Sequence, residues 1–201
     1  MIRVSLAAIA FALLSVGSVG CHRRESGAAG PCPDGASLKG DAPPQGTVQW
    51  CARADGVKDG RWTEWHPNGR VKIEGQHVDG KVDGRWVTYF ENGTVKVVGV
   101  YRAGLKDGEW ATNYEDGKKN RLEIHHDGAS EVPFTVWRED GSVWAKGTVI
   151  ASQQNGDYTE WYPDGKLAAK GRYDHGDKVG KWSYFDPEGN PSEVAQGDYA
   201  H

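Results

Sequence analysis

Residues Gly84 to Tyr101 read Gly-Arg-Trp-Val-Thr-Tyr-Phe-Glu-Asn-Gly-Thr-Val-Lys-Val-Val-Gly-Val-Tyr. This stretch is one complete unit of a repeat, because counting 24 residues in either direction from its landmarks finds the same kind of residue again. The clearest landmark is the glycine of an inner turn, which recurs without insertion or deletion at Gly69, Gly93, Gly117, Gly141, Gly165 and Gly189. Self-similarity at a fixed period of this size is the signature of a repeat architecture.

Each unit predicts a β-hairpin. In the quoted unit, Asn92-Gly93 tolerates positive φ at a tight turn, and Val95 and Val97 follow at alternate positions, which is strand periodicity. A second glycine-bearing turn, such as the one from Asp79 to Gly84, separates one unit from the next. The pattern therefore predicts an all-β, single-layer antiparallel sheet of about six 24-residue hairpins stacked as a solenoid.

Aromatic residues recur twice in most units and are the main candidates for the core, since each large ring buries roughly 150 to 250 Å². The two aromatics of a unit, such as Trp62 and Trp65, are three residues apart. This spacing predicts either a bulge in the first strand or rings on both faces of the sheet. The predicted aromatic core consists of Trp62, Trp65, Trp86, Tyr89, Trp110, Phe134, Trp137, Tyr158, Trp161, Trp182 and Phe185.

The order Gly-x-Trp-x-x-Trp/Tyr, then Asn/Asp-Gly, then Gly-x-Tyr resembles the bacterial variant of the MORN repeat, which is found in proteins labelled YwqK-family antitoxins. The resemblance covers Asp55 to about Glu193. It implies a curved single sheet of hairpins that serves as a scaffold or binding surface. The antitoxin label implies a further role, against a partner toxin, that the repeat residues do not specify by themselves.

The N-terminal segment 1–20 has the features of a secretory signal peptide, with Arg3, an apolar run from Val4 to Val16, and small residues up to Cys21. The apolar run is too short for a stable membrane span. The end of the segment resembles a lipobox, which implies that Cys21 is lipidated and becomes the mature N-terminus. Ordinary cleavage that leaves a free thiol is the alternative. Residues 21–31 are predicted to form a flexible tether.

The chain has three cysteines, Cys21, Cys32 and Cys51. If Cys21 carries lipid, Cys32 and Cys51 remain as a pair that an oxidising compartment would join. Closing this loop stabilises the fold by about 3 kcal/mol in the chain-entropy model. We therefore predict a disulfide-closed N-terminal cap at 32–54, with a strand from Val48 to Ala52, in front of a repeat domain at 55–201.

The third unit departs from the pattern. An aromatic appears at Tyr114 instead of position 113, and Lys119 and Arg121 stand where other units have apolar residues. A one-residue slip exchanges the two faces of a strand. These shifts therefore predict a bulge or local distortion between Glu109 and His125.

The fourth unit lacks the opening glycine and tryptophan and reads Glu131-Val132-Pro133-Phe134 at that place. It also carries Trp144, which stands outside the aromatic columns of the repeat. We therefore predict that a partner contacts the exposed sheet face near units two to four, with Trp144 as the candidate contact residue.

No nucleophile, phosphate-loop or zinc-protease motif is present, and we predict a non-catalytic protein without cofactor or metal. His77 and His125 share a column of the repeat but lie two units apart. Strand spacing puts them about 19 Å from each other, which is too far for one metal ion. With a net charge of −4 and no basic block, the chain is not predicted to bind nucleic acid.

The favoured function is a non-catalytic lipoprotein of the cell envelope that presents its repeat surface to another macromolecule, with a protein as the expected partner. His22, after Cys21, is not the Asp that retains lipoproteins in the inner membrane of enteric bacteria, which favours the outer membrane, facing the periplasm. Secretion is the alternative if Cys21 is not lipidated. Two other functions stay open: a module that binds cell-wall glycan through stacked rings, and an antitoxin or immunity protein against a partner toxin.

Overall fold

The computed structural model describes residues 32–126, 128–192 and 198–199. The predicted signal peptide, the lipidation at Cys21 and the tether at 21–31 lie outside these ranges. The described residues are all-β, as the repeat predicts, and contain no helix. Within them, no helical segment has the length and apolar character that crossing a bilayer requires.

Fifteen strands follow one another along the described part of the chain. Each strand pairs antiparallel with the next strand along the chain. The exception is the short β5, which pairs only with β4, so that β4 pairs next with β6. The strand order of the single open sheet is therefore the chain order, which confirms the predicted hairpin meander. The strands are β1 (Ala36–Asp41), β2 (Val48–Arg53), β3 (Lys58–Trp65), β4 (Val71–Val78), β5 (Lys81–Val82), β6 (Gly84–Tyr89), β7 (Val95–Arg102), β8 (Leu105–Asn113), β9 (Lys119–His125), β10 (Glu131–Trp137), β11 (Val143–Ile150), β12 (Gln153–Trp161), β13 (Leu167–Asp174), β14 (Asp177–Tyr184) and β15 (Asp198–Tyr199).

Five complete hairpins carry the repeat: β3–β4, β6–β7, β8–β9, β10–β11 and β12–β13. Strand β14 opens a sixth hairpin, whose return is an isolated bridge between Phe185 and Pro191. Inside each hairpin the turn glycine takes a positive φ, from 80° at Gly69 to 95° at Gly189. Glycine adopts this conformation without the steric cost that a side chain would add, so the periodic glycines fix where the hairpins turn.

Of the two alternatives for the aromatic spacing, rings on both faces is correct, and a bulge between the two aromatics of the first strand is wrong. The pairing of β3 with β4 runs residue by residue from Gly60 to Glu64 and then skips Lys72, so the extra residue lies on the return strand. The segment from Trp62 to Trp65 stays regular, and alternation puts these two rings on opposite faces. The same skip recurs in the later hairpins at Lys96, Asn120, Trp144 and Ala168.

The bulge predicted between Glu109 and His125 is present, at Asn120. All five complete hairpins have the same bulge, so it is not a distortion of the third unit. The interpretation of the third unit as a register slip is therefore wrong. Tyr114 is not a displaced second aromatic, because its hydroxyl donates to the carbonyl of Trp137 at 2.8 Å. Asn113 occupies the position of the second aromatic, and its Nδ2 donates to the carbonyl of Val95 at 3.1 Å.

The exceptional place is the start of the fourth unit. In β8, two extra residues near Gly108 interrupt the pairing with β7, and Gly108 takes a φ of 70°. Strand β10 instead pairs with β9 from Phe134 to Val136 without a register shift. Val132 stands at the position of the missing glycine and is buried. At this place the pairing of β10 with β9 ends at Phe134, whereas in β8 the pairing with β7 resumes beyond the extra residues.

The predicted disulfide between Cys32 and Cys51 is present, with the two Cα atoms 5.5 Å apart. The strand predicted from Val48 to Ala52 corresponds to β2, in which Cys51 is buried. The sequence did not predict β1, which forms from the polar segment between the cysteines and pairs with β2 along its whole length. The disulfide thus joins the first hairpin to the chain that precedes it.

Candidate functional site

One face of the sheet carries a row of rings that starts at Trp50, and we call it the ladder face. Ring centroids of successive members lie 4.8 to 6.3 Å apart, and four of the first six contacts are edge-on, an arrangement that aromatic pairs prefer. The row runs through Trp50, Trp62, His77, Trp86, Tyr101, Trp110 and His125. The second aromatics, which are half-buried, belong to the opposite face by strand alternation: Trp65, Tyr89, Trp137, Trp161 and Phe185.

The ladder tryptophans pack on glycines of the preceding return strand. A Cβ built on Gly99 would lie closer than 3.0 Å to the indole of Trp110, and one on Gly171 equally close to Trp182. No real side chain accepts such a distance. Trp110 and Trp182 are 5% and 1% exposed, so these rings belong to the core of the molecule.

Lysine side chains cover ladder rings from outside. The ammonium groups of Lys58, Lys106 and Lys178 lie 4.1, 4.4 and 4.4 Å from the ring centroids of Trp62, Trp110 and Trp182. Each lysine comes four residues before its tryptophan, so this cation–π contact follows the repeat. The rings therefore use their edges for neighbouring rings and their faces for glycines and lysines.

His77 is a buried member of the ladder. It lies between the rings of Trp62 and Trp86 and is 7% exposed. Its Nδ1 is buried without a hydrogen-bond partner among the described residues. Burial, and then the positive charge of Lys58, lower the pKa of His77 below 6.5, which favours the neutral ring.

The ladder is interrupted between His125 and Tyr158. Within the described ranges no ring contact joins these two residues, and the row resumes from Tyr158 through Tyr173 to Trp182. Val149 occupies the column where other units place an aromatic or imidazole ring. Phe134 is packed instead against the guanidinium of Arg121, at 4.1 Å from the ring centroid.

A carboxylate fills the glycine position at this interruption. Glu123 pairs with Trp110 as Gly75 pairs with Trp62. One carboxylate oxygen accepts a hydrogen bond from Nε of Arg121 at 2.8 Å, and the other lies 3.1 Å from Nε2 of His125 and 3.8 Å from Nζ of Lys106. Burial acts to raise the pKa of Glu123, but the hydrogen bonds from Arg121 and His125 and the nearby charges outweigh it. They hold this pKa below its ordinary value of 4.5.

A cavity of about 360 Å³ opens at the interruption, and we call it the ladder cavity. Its charged and titratable lining comes from β8 and β9, and its remaining lining is small or apolar. The first group consists of Lys106, Arg121, Glu123 and His125, and the second of Ser130, Val132, Val149, Ala151 and Ser152. Three residues that depart from the repeat pattern, Glu123, Val132 and Val149, line this cavity together. They lie far apart along the chain.

A second cavity, of about 490 Å³, lies near the inner turns of units two to four. It forms beside Asn113, which is smaller than the ring that other units place there. Phe90 and Tyr114 supply aromatic lining, and the rest of the lining is Glu115, Asp116, Asn120 and Glu139. This cavity has an acidic lining, in contrast to the ladder cavity.

Trp144, the predicted partner contact, is 44% exposed. Its Nε1 donates to the carboxylate of Glu160 at 2.9 Å. The residue stands at the bulge of β11. The first hairpin has Lys72 at this position, and its ammonium group forms an ion pair with Glu64. Glu160 shares the face of Tyr158 by alternation, so Trp144 is directed to the ladder face in the same strand that supplies Val149.

Among the described residues, no three side chains of His, Cys, Asp and Glu come close enough together to hold a metal ion. What the ladder cavity offers chemically is a set of hydrogen-bond donors and charges. Two cationic side chains, one carboxylate and one imidazole meet there beside an apolar wall.

A family model described as the MORN repeat variant matches the chain at residues 58–79, 82–103 and 154–175. No curated protein matches it. The matched segments contain units that keep both the opening glycine and the first aromatic, and the interrupted fourth unit lies outside them. The spacing, the hairpin of each unit and these three matches show that the chain is a MORN-variant repeat protein.

Proposed function

We propose that this protein is a non-catalytic lipoprotein of the cell envelope, anchored through Cys21, whose ladder face binds another protein. The observation that carries the proposal is the ladder cavity. MORN repeats generally form non-catalytic binding modules, often associated with membranes or proteins. The repeat forms a regular surface, and the interruption gives that surface a cavity whose lining departs from the repeat at Glu123, Val132 and Val149.

Trp144 supports a protein contact near the interruption. Tryptophan and arginine are the residue types that most often dominate the energy of protein interfaces. Here an exposed Trp144 and the guanidinium of Arg121 occur in adjacent hairpins on one face. A partner that covers both would also cover the cavity between β9 and β11.

The packing of the rings favours a protein over a glycan. Sugar rings bind aromatic side chains by stacking on an open ring face. The ladder tryptophans Trp110 and Trp182 are buried, and a lysine ammonium lies over each of them. Trp144 alone presents a large exposed indole among the described tryptophans, which is too little for a stacking platform.

Site-specific photo-cross-linking in intact cells tests the proposal. A photoreactive amino acid at position 144 is expected to give a discrete protein adduct in the envelope fraction. The matched control is position 100 on the opposite face, where Val100 is equally exposed at 44% and should give no adduct. Trp144→Lys should abolish capture of the same partner while the melting temperature stays unchanged, because Lys72 occupies the same column and pairs with Glu64.

Two outcomes would contradict the proposal. One is a Trp144→Lys chain of normal stability that still captures every partner. The other is recovery of the native chain in a soluble fraction, which would exclude the anchor at Cys21.

A further inference from the structure

We propose that the ladder cavity binds a single carboxylate group of the partner protein, with Arg121 and Lys106 as the recognising cations. The inference rests on the proposed protein-binding function and names the chemistry of that contact. It is carried by the charges and donors that the cavity leaves uncompensated.

The charge of the cavity favours a singly charged anion. Lys106 and Arg121 each carry a positive charge, and Glu123 is the only carboxylate among the lining residues. These two cations and one carboxylate together leave one positive charge. One carboxylate neutralises it, whereas a doubly charged phosphate would overcompensate it and would lie close to the carboxylate of Glu123.

The donors of Arg121 are suited to this group. Its Nε is used by Glu123, while its Nη1 and Nη2 find no hydrogen-bond acceptor among the described residues. A guanidinium presents such N–H groups in a fixed plane that matches two carboxylate oxygens. Phe134 holds the plane from one side at 4.1 Å, and the Arg121 side chain remains 30% exposed.

The room for the ligand comes from the missing ring at Val149. A volume of about 360 Å³ holds a Glu or Asp side chain with its flanking backbone. The apolar lining from Val132 and Val149 suits the methylene groups of such a side chain. The hydroxyl groups of Ser130 and Ser152 are further donors at the same wall.

The test uses NMR titration of the full chain in zwitterionic micelles, following the backbone amides of Glu123 and His125. The probes are acetyl-Gly-Glu-Gly-amide, its Gln counterpart, sodium acetate and inorganic phosphate. We expect saturable shifts with the Glu peptide and with acetate, and binding of the Gln peptide that is weaker by about tenfold or more, since a charge-assisted contact is lost.

Two variants locate the site. Arg121→Gln should weaken binding of the Glu peptide by about tenfold, and Val149→Tyr should abolish it by filling the cavity. Val149→Tyr is expected to fold, because Tyr101 and Tyr173 occupy the same column of the repeat. The matched control is Arg172→Gln, which removes an exposed arginine from the opposite face and should leave the affinity unchanged.

The inference is overturned if the native chain shows no saturable shift, if Val149→Tyr binds as well as the native chain, or if phosphate binds more tightly than acetate. Its failure differs from failure of the proposed function. A partner cross-linked at position 144 in both the native and the Val149→Tyr chain would leave protein binding intact and exclude the carboxylate contact. Peptide binding without any cross-linked protein would leave the carboxylate contact intact and exclude protein binding at position 144.

Discussion

Ring packing on the ladder face depends on residues that have no side chain. Gly99 and Gly171 have ordinary strand φ values, so their backbone conformation does not require glycine. Their role is steric, because Trp110 and Trp182 occupy the space that a Cβ would need. Glu123 at the same position is compatible with the fold because the ring that follows it is the smaller Phe134.

Gly99→Ala and Gly147→Ala form a graded pair that tests this role. The added methyl of Gly99→Ala overlaps the Trp110 indole, and we expect a loss of about 1 to 3 kcal/mol in unfolding free energy. At Gly147 the nearest ring atoms, in Phe134, lie 3.1 Å from the added Cβ, so the loss should be smaller. Urea unfolding of the two variants measures the difference.

The cause of the loss can be isolated by making the ring smaller. In a chain that already carries Trp110→Leu, the additional Gly99→Ala change should cost less than it does alone. Equal costs in the two backgrounds would show that the glycine serves another purpose than close approach of the indole.

His77 makes stability depend on pH. Its pKa is lowered in the folded chain by burial and by Lys58, relative to the ordinary value of 6.5. The unfolded chain therefore binds more protons than the folded chain once the pH falls below 6.5. The stabilisation due to the neutral ring is complete above pH 6.5 and is lost as the pH falls through the folded pKa. We expect the unfolding free energy to decrease on acidification through this range.

His77→Tyr should reduce that decrease, because tyrosine occupies the same column at Tyr101 and Tyr173 and stays uncharged there. The measurement is the unfolding free energy at intervals from neutral pH to about pH 5, where the histidine of an unfolded chain is mostly protonated. The control, His175→Gln, removes an exposed imidazole and should leave the slope close to that of the native chain. An unchanged slope in His77→Tyr would exclude His77 as the source.

At the scale of elements, each inner turn is joined to the next by hydrogen bonds that repeat with the sequence. Nδ2 of Asn68 donates to the carbonyl of Glu91 at 2.9 Å, and Nδ2 of Asn92 donates to that of Glu115 at 3.0 Å. Lys118 and Lys166 use their ammonium groups in the same way, from the residue that follows the turn glycine. These bonds add to the strand pairing, so a turn residue contributes to the stacking of hairpins as well as to its own hairpin.

The hairpins and their turns could be predicted from the sequence because the glycines and alternating apolar residues act locally. The interpretation of the third unit as a register slip is wrong for the opposite reason. Tyr114 looks like a second aromatic moved by one residue, but its position is set by a hydrogen bond to Trp137, a residue of the next hairpin. A pattern along the chain carries no information about a bond between units, and the register did not change.

The candidate site could be predicted only in part. Trp144 is recognisable because it stands outside the aromatic columns, and it is exposed on the ladder face. The ladder cavity is not recognisable in this way, because three replacements form it, at Glu123, Val132 and Val149. These residues are far apart within their units and meet only across neighbouring strands. Comparison of each repeat column in turn reveals all three, since a carboxylate replaces glycine in one and valine replaces glycine or a ring in the others.

At the scale of the whole molecule, each hairpin in the described part of the chain pairs with the hairpins before and after it. The stability of such an array is the sum of the units and of the contacts between neighbours. A unit can therefore be removed without disturbing the rest if the residues at its two ends have the same types, because its neighbours then meet at an unchanged junction. The second unit meets this condition, since the residues on either side of it, at Asp83 and Gly108, restore the Asp-Gly junction.

Deletion of residues 84–107 should therefore give a folded chain with one hairpin fewer. Gly75 would receive the indole of Trp110 in place of Trp86, and Nδ2 of Asn68 would face the carbonyl of Glu115 in place of Glu91. We expect cooperative unfolding at a lower free energy and unchanged amide NMR signals from β12 to β14.

The contrasting variant removes 84–108, one residue more, and so loses the junction glycine, which takes a φ of 70°. A residue with a side chain would be strained there, and the strand after it would start one residue out of register. This chain should be much less stable than the first. Equal stability of the two deletions would mean that the 24-residue phase does not control how hairpins stack, because only one of the two deletions preserves it.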